Sequence, residues 1–137
     1  MLKWLKFRKY WYRQALPVYW ILLFGATHYP KVSLPASIPQ SDKVVHFAAF
    51  GLLAFLFWKC VESFDRKLSG RFVWVAFVVL GAYAALDEYL QQFVNRYPSL
   101  TDWLADLAGV SVVLLALEVH RRRRASAARG GPAPPDA

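Results

Sequence analysis

Five of the nine acidic residues in this 137-residue chain, Asp42, Asp87, Glu88, Asp102 and Asp106, fall in two stretches that also hold Lys43, His46, Gln91, Gln92 and Arg96. A carboxylate beside an imidazole can pass a proton to and from a reacting group, provided the two lie within hydrogen-bond reach. Paired carboxylates are also ordinary oxygen donors for a divalent cation, and Lys and Arg are the donors that meet phosphate oxygens. On a helix, residues three and four apart are neighbours, so Asp42 shares a face with His46, Asp102 with Asp106, and Glu88 with Gln91 and Gln92. This pattern points to His46 and Glu88 as an acid/base pair. Asp42, Lys43, Gln91, Gln92 and Arg96 are then the ligand contacts, and Asp102 with Asp106 the carboxylates for a metal ion. A divalent cation is the candidate cofactor. No GxSxG nucleophile motif accompanies these residues.

Five acids against Lys43 and Arg96 leave a net charge of about minus three if all ionise, a poor balance for simple neutralisation. Protonated carboxylates, a protonated His46, a bound divalent cation or a cationic ligand group would each redress it. The plainer reading is that Lys43 and Arg96 pair with Asp102, Asp87 or Asp42 only to close one end of a helical bundle. His28 and His120 have no acidic partner in the pattern and receive no role.

The elements that must carry these residues follow from composition. The chain is 57% hydrophobic and 17% aromatic, yet its 17 Lys and Arg against 9 Asp and Glu give a formal charge of +8. A soluble domain has about 45 to 50% apolar residues, so high apolar content together with high charge describes a membrane protein. The lone Cys60 excludes an intrachain disulfide, and no CxxC or Cys/His zinc pattern exists. The apolar residues collect in four blocks, about 11–29, 44–61, 72–94 and 102–119. Polar residues in the third recur at three and four positions rather than two, which is helical. The expected fold is all-α, a polytopic four-helix transmembrane bundle occupying 1–124, with a disordered Ala/Gly/Pro tail over 125–137.

Lys and Arg concentrate before the first block, between the second and third, and after the fourth, which places both termini in the cytoplasm. The basic, aromatic stretch from Lys3 to Arg13 reads as an uncleaved segment on anionic headgroups, not as a nucleic-acid site. At about 1.5 Å of rise per residue, Glu88 lies roughly 24 Å from the inner end of its helix and His46 and Asp106 roughly 20 Å. All three reach one layer roughly 5 to 10 Å beneath the outer boundary, assuming a hydrocarbon core of about 30 Å. Ionisable groups at that depth face one another or water rather than lipid.

The segments that carry the layer are Asp42-Lys43-Val44-Val45-His46-Phe47 with Phe50 and Gly51, then Asp87-Glu88-Tyr89-Leu90-Gln91-Gln92-Phe93. Arg96 follows, and then Asp102-Trp103-Leu104-Ala105-Asp106 with Gly109. In combination they resemble the VanZ-like family of small membrane proteins. The resemblance covers the second to fourth helices, and the family's characteristic polar positions fall on Asp42, Lys43, His46, Glu88, Gln91, Arg96, Asp102 and Asp106. Two positions depart from it: Val94-Asn95 stands where Pro-Gly is common, and Asp106 where Asn is common. The resemblance implies a multi-pass protein of the bacterial inner (cytoplasmic) membrane. The family's name comes from a member associated with low-level resistance to the lipoglycopeptide teicoplanin, and the resemblance supplies no biochemical activity.

The leading functional reading is an outer-leaflet pocket that binds the head group of an envelope lipid or lipid-linked glycan intermediate. A stronger version modifies that head group. The competing readings are an ion- or proton-linked transporter, which would need an oligomeric pore because Phe55, Leu56, Phe57, Val75, Phe77 and Val78 leave the inner halves apolar, and an assembly protein without catalysis. Expected partners are membrane lipids, a lipid-linked intermediate or a lipoglycopeptide, and further copies of the chain.

Overall fold

The structure, a computed structural model, describes residues 2–29, 41–65 and 68–129, and of residues 2–9 and 41 the backbone alone. Among the described residues there are four α-helices, α1 (Leu2–Thr27), α2 (Ser41–Ser63), α3 (Gly70–Gln91) and α4 (Leu100–Arg129), with a 3-10 turn over Gln92–Val94. No strand occurs among the described residues, in agreement with the all-α expectation.

The helices outrun their expected bounds for local reasons. The Leu, Lys, Arg and Trp residues that open the chain are good or adequate helix formers, and α1 meets no Gly or Pro before Pro17. At the other end, Ala125 to Arg129 continue α4 because Ala is the best helix former. Those five residues were expected in a disordered tail; 130–137 lie outside the described residues. Ahead of α4, the Ser99 hydroxyl accepts from the Asp102 N–H at 3.2 Å, a side-chain cap on the first turn.

Three of the four helices, α2, α3 and α4, are long and apolar enough to cross a membrane. α1 falls short of that measure because Arg13, Gln14, Pro17 and its Tyr and Trp residues dilute its apolar run. Exposed apolar side chains cover the outside of the bundle, with Ile21 at 72%, Trp74 at 71% and Val78 at 63% exposure. A surface of that kind is stable against lipid rather than water.

The centre is held by α2 against α4. A Cβ on Gly109 would overlap the Phe47 carbonyl and sit 3.1 Å from the Gly51 amide nitrogen, so glycine here lets two backbones touch. Around that seam Phe50, Leu53, Leu80, Val110 and Leu114 are fully buried. α1 leans on this core through the Tyr19 hydroxyl, which donates to the Ala49 carbonyl at 2.9 Å, and through an edge-to-face Trp20–Tyr83 pair 4.9 Å apart. The end of α1, the start of α2, the end of α3 and the start of α4 therefore gather at one end of the bundle.

Candidate functional site

At that end the side chains of α2, α3 and α4 meet across long stretches of sequence. His46 Nδ1 lies 3.0 Å from Asp106 Oδ1, with the two side chains 6% and 1% exposed. The contact fixes the ring's orientation through Nδ1. Glu88 receives two neutral donors: Gln91 Nε2 at 3.3 Å on Oε1 and the Ser99 backbone N–H at 2.8 Å on Oε2. Ser99 thus caps α4 with its hydroxyl and steadies Glu88 with its amide.

One ligand atom each from His46, Glu88 and Asp102 lie within 4.8 Å of one another, a set that could hold a metal ion. The sequence pattern paired Asp102 with Asp106 for that task, and the structure divides them. They share a helix face, but four residues separate them by about 6 Å along the axis. Asp102 lies with Glu88 and His46, while Asp106 is more deeply buried and meets His46 Nδ1.

Of the expected ligand contacts, Asp42 and Arg96 line one cavity of about 510 Å³ between α1 and α2, together with His46, Thr27, Tyr19 and Leu22. Arg96 donates from Nη1 to the Thr27 carbonyl at 2.7 Å, satisfying a carbonyl at the C-terminal end of α1. The turn that delivers Arg96 depends on Asn95, whose φ of 57° is a left-handed conformation Asn tolerates. Lys43 is not part of the cavity wall; it stands 47% exposed with Nζ 3.6 Å from Asp102 Oδ1. Gln91 is buried and bonded to the acids, but Gln92 is exposed. The chain tightens to a 3-10 turn at Gln92, so the four-residue face relation to Glu88 ends there.

Asp87 anchors a second network. Its Oδ1 accepts from Thr27 Oγ1 at 3.0 Å and from the Tyr83 hydroxyl at 3.4 Å, and its Oδ2 accepts from Gln91 Nε2 at 3.3 Å. His28, assigned no acidic partner from the sequence, has Nδ1 3.7 Å from Asp87 Oδ1. The last turn of α1 packs against α3, a tertiary contact that no local spacing announces. Ser99 was more legible: Ser-x-x-Asp ahead of an apolar run is a helix-start signature. Thr27 and Tyr83 gave no signal.

A bundle of long apolar helices with a buried polar cluster at one end defines a helical protein of membrane character. The family model for VanZ/LLP1 matches residues 4–120, and the chain belongs to that family. It is also similar to an uncharacterized protein of the fission yeast Schizosaccharomyces pombe, 29% identical over 114 residues that cover 82% of this chain and 68% of the relative. No solved structure matches the chain.

Proposed function

We propose that this protein spans the bacterial cytoplasmic membrane with four helices, both ends of the chain in the cytoplasm, and binds the phosphorylated head group of an envelope lipid or lipid-linked glycan. The cavity between α1 and α2 carries the proposal. Its polar end holds Asp42, His46, Arg96 and Thr27. Its flanks include Leu22 and Val45, which are 64% and 62% exposed and so belong to the lipid-facing surface. A largely apolar pocket with polar groups at one end, beside an apolar exterior, suits a molecule with a head in protein and a tail in the bilayer.

A second depression continues along the same seam. It measures about 470 Å³, shares Tyr19 and Leu22 with the first, and runs on over Trp11, Val18, Leu52 and Leu56. An acyl or prenyl chain would lie there. The volume of the polar cavity suits a drug-sized head group, which favours a lipid head over a whole lipoglycopeptide. Beneath the polar layer, Phe50, Leu53, Trp58, Leu80 and Leu114 fill the interior. That packing favours binding over transport.

Native mass spectra of gently purified wild type and of the Arg96→Ala/His46→Ala double variant test the proposal. Wild type should retain a phosphorylated lipid selectively, and the variant, equally folded, should lose at least nine-tenths of it. Equal retention, or no selective adduct in wild type, would remove the pocket from consideration as a lipid site. The His46–Asp106 contact also favours a second reading, in which the oriented imidazole takes a proton during hydrolysis or transfer at the bound head group.

A further inference from the structure

Four carboxylates, those of Asp87, Glu88, Asp102 and Asp106, meet at the polar end of α3 and α4, and neutral groups supply most of their partners. Asp87 takes two hydroxyls and an amide with His28 Nδ1 3.7 Å away, Glu88 takes a side-chain amide and a backbone N–H, and Asp106 meets the His46 imidazole. Lys43 approaches Asp102 from outside while itself half exposed, and Arg96 donates to the Thr27 carbonyl. Negative charge collected in a water-poor layer on neutral donors is costly, and a cation at its centre would offset that cost.

The geometry points to a divalent cation bound by His46, Glu88 and Asp102, with Asp106 holding the imidazole that ligates it. Three observations converge. The ligand atoms come from three helices and lie within 4.8 Å of one another. Bonds of about 2.0 to 2.2 Å place ligand atoms about 3 to 4 Å apart around an ion, so side-chain movements of about an ångström complete the set. His46 and Glu88 are each 6% exposed. With Nδ1 committed to Asp106, the imidazole presents Nε2, and a carboxylate on the far nitrogen is the usual way a metal-binding His is oriented.

Asp106 gives the third observation. Its residue is 1% exposed, and its Oδ2 is buried without a hydrogen-bond partner among the described residues. A carboxylate held that far from solvent fixes the imidazole from its Nδ1 side, as the carboxylate behind a metal-binding His does. Of the three ligands, His46 also lines the cavity between α1 and α2. One imidazole with two carboxylates suits Zn2+ or Mn2+ better than Mg2+ or Ca2+, which favour oxygen throughout.

The site stands apart from the lipid reading because ion uptake is measured with the metal alone. The full chain, purified without a polyhistidine tag and stripped with chelator, is titrated with Zn2+ and separately with Mn2+. Bound metal is counted by mass spectrometry, and affinity is read by calorimetry. Wild type should take up one ion per chain with at least one of the two. Glu88→Gln, Asp102→Asn and His46→Ala should each weaken binding at least 30-fold, and Asp106→Asn about tenfold. Glu62→Gln, at the opposite end, should bind as wild type. Thermal melting checks each fold, and the two isosteric substitutions carry the test if His46→Ala does not fold. No stoichiometric uptake by wild type, or uptake unchanged in the three ligand variants, overturns the site. Ion uptake without lipid retention leaves it standing and removes the lipid pocket, whereas lipid retention by a chain that takes up no ion does the reverse.

Discussion

The two ends of this bundle hold similar ionic groups and use them in opposite ways. At the basic end the acids are met on their own helix: Lys59 reaches Glu62 at 2.7 Å one turn away, and Arg121 and Arg122 both reach Glu118 at 2.7 Å. Among the described residues, two bonds there cross between helices, both from Arg13 to Ser63. At the other end local bonds on α3, from Tyr83 and Gln91 to Asp87 and from Gln91 to Glu88, stand beside contacts that cross between helices. His46 and Asp106 are 60 positions apart, as are Thr27 and Asp87, and Arg96 reaches Thr27 across 69. Pairs within one turn form as the helix forms and are complete in themselves. The crossing set exists only once the bundle has assembled, and it leaves Asp106 Oδ2 and His28 Nε2 buried without partners among the described residues. Among the described residues, the buried unpartnered atoms lie at the polar end, where the proposed ligands would bind.

The sharpest way to break that comparison is to remove the packed middle on which both ends depend. Gly109→Val would drive side-chain atoms into the Phe47 carbonyl and push α2 from α4. The expected cost is about 3 kcal/mol or more, at the upper end of overpacking effects, read as a collapse of the thermal transition in detergent. Gly51→Ala is the matched control, since its Cβ would meet a Val113 methyl at 3.3 Å and otherwise ordinary contacts. It should cost under about 1 kcal/mol. If both substitutions act alike, the two ends are not coupled through this seam.

A smaller effect tests the polar end itself. His46→Ala leaves Asp106 buried with neither oxygen partnered, at an expected loss of about 2 to 3 kcal/mol. Adding Asp106→Leu removes the orphaned carboxylate as well. The double variant should therefore melt above His46→Ala alone, because replacing a buried polar pair by apolar groups is often neutral or stabilising. A double variant that is less stable than the single would mean that Asp106 has another essential structural partner.

How far these features could be seen in the sequence follows the same division between local and crossing contacts. The spacings of Asp42 to His46 and Asp102 to Asp106 sit on single helices, and helical arithmetic placed all of them in one layer. What arithmetic along a helix cannot supply is rotation and height between helices. Asp106 therefore passed as a partner of Asp102 instead of the residue that orients His46. Gln92 was misplaced because a local tightening of the helix broke the face it was assumed to share. Thr27 and His28 were invisible as site residues because only the docking of α1 brings them to Asp87. Of the four expected spans, three are long and apolar enough by composition, and α1 falls short because its basic and aromatic residues dilute the apolar run.

The smallest expected effect belongs to the basic end, and it sharpens the comparison by its size. Lys59 and Glu62 are 27% and 49% exposed and three residues apart on one helix. Solvent screens such a pair, and pairs of this kind contribute about 0.5 kcal/mol or less. Lys59→Ala should thus shift the melting transition barely beyond experimental error and leave lipid retention and metal uptake unchanged. Strengthening salt should erase even that difference, since screening shortens the reach of exposed charges to roughly 8 Å at physiological ionic strength. A substantial loss of ligand on changing Lys59 would show that the two ends communicate, and the division between a self-sufficient end and a ligand-dependent one would fall with it.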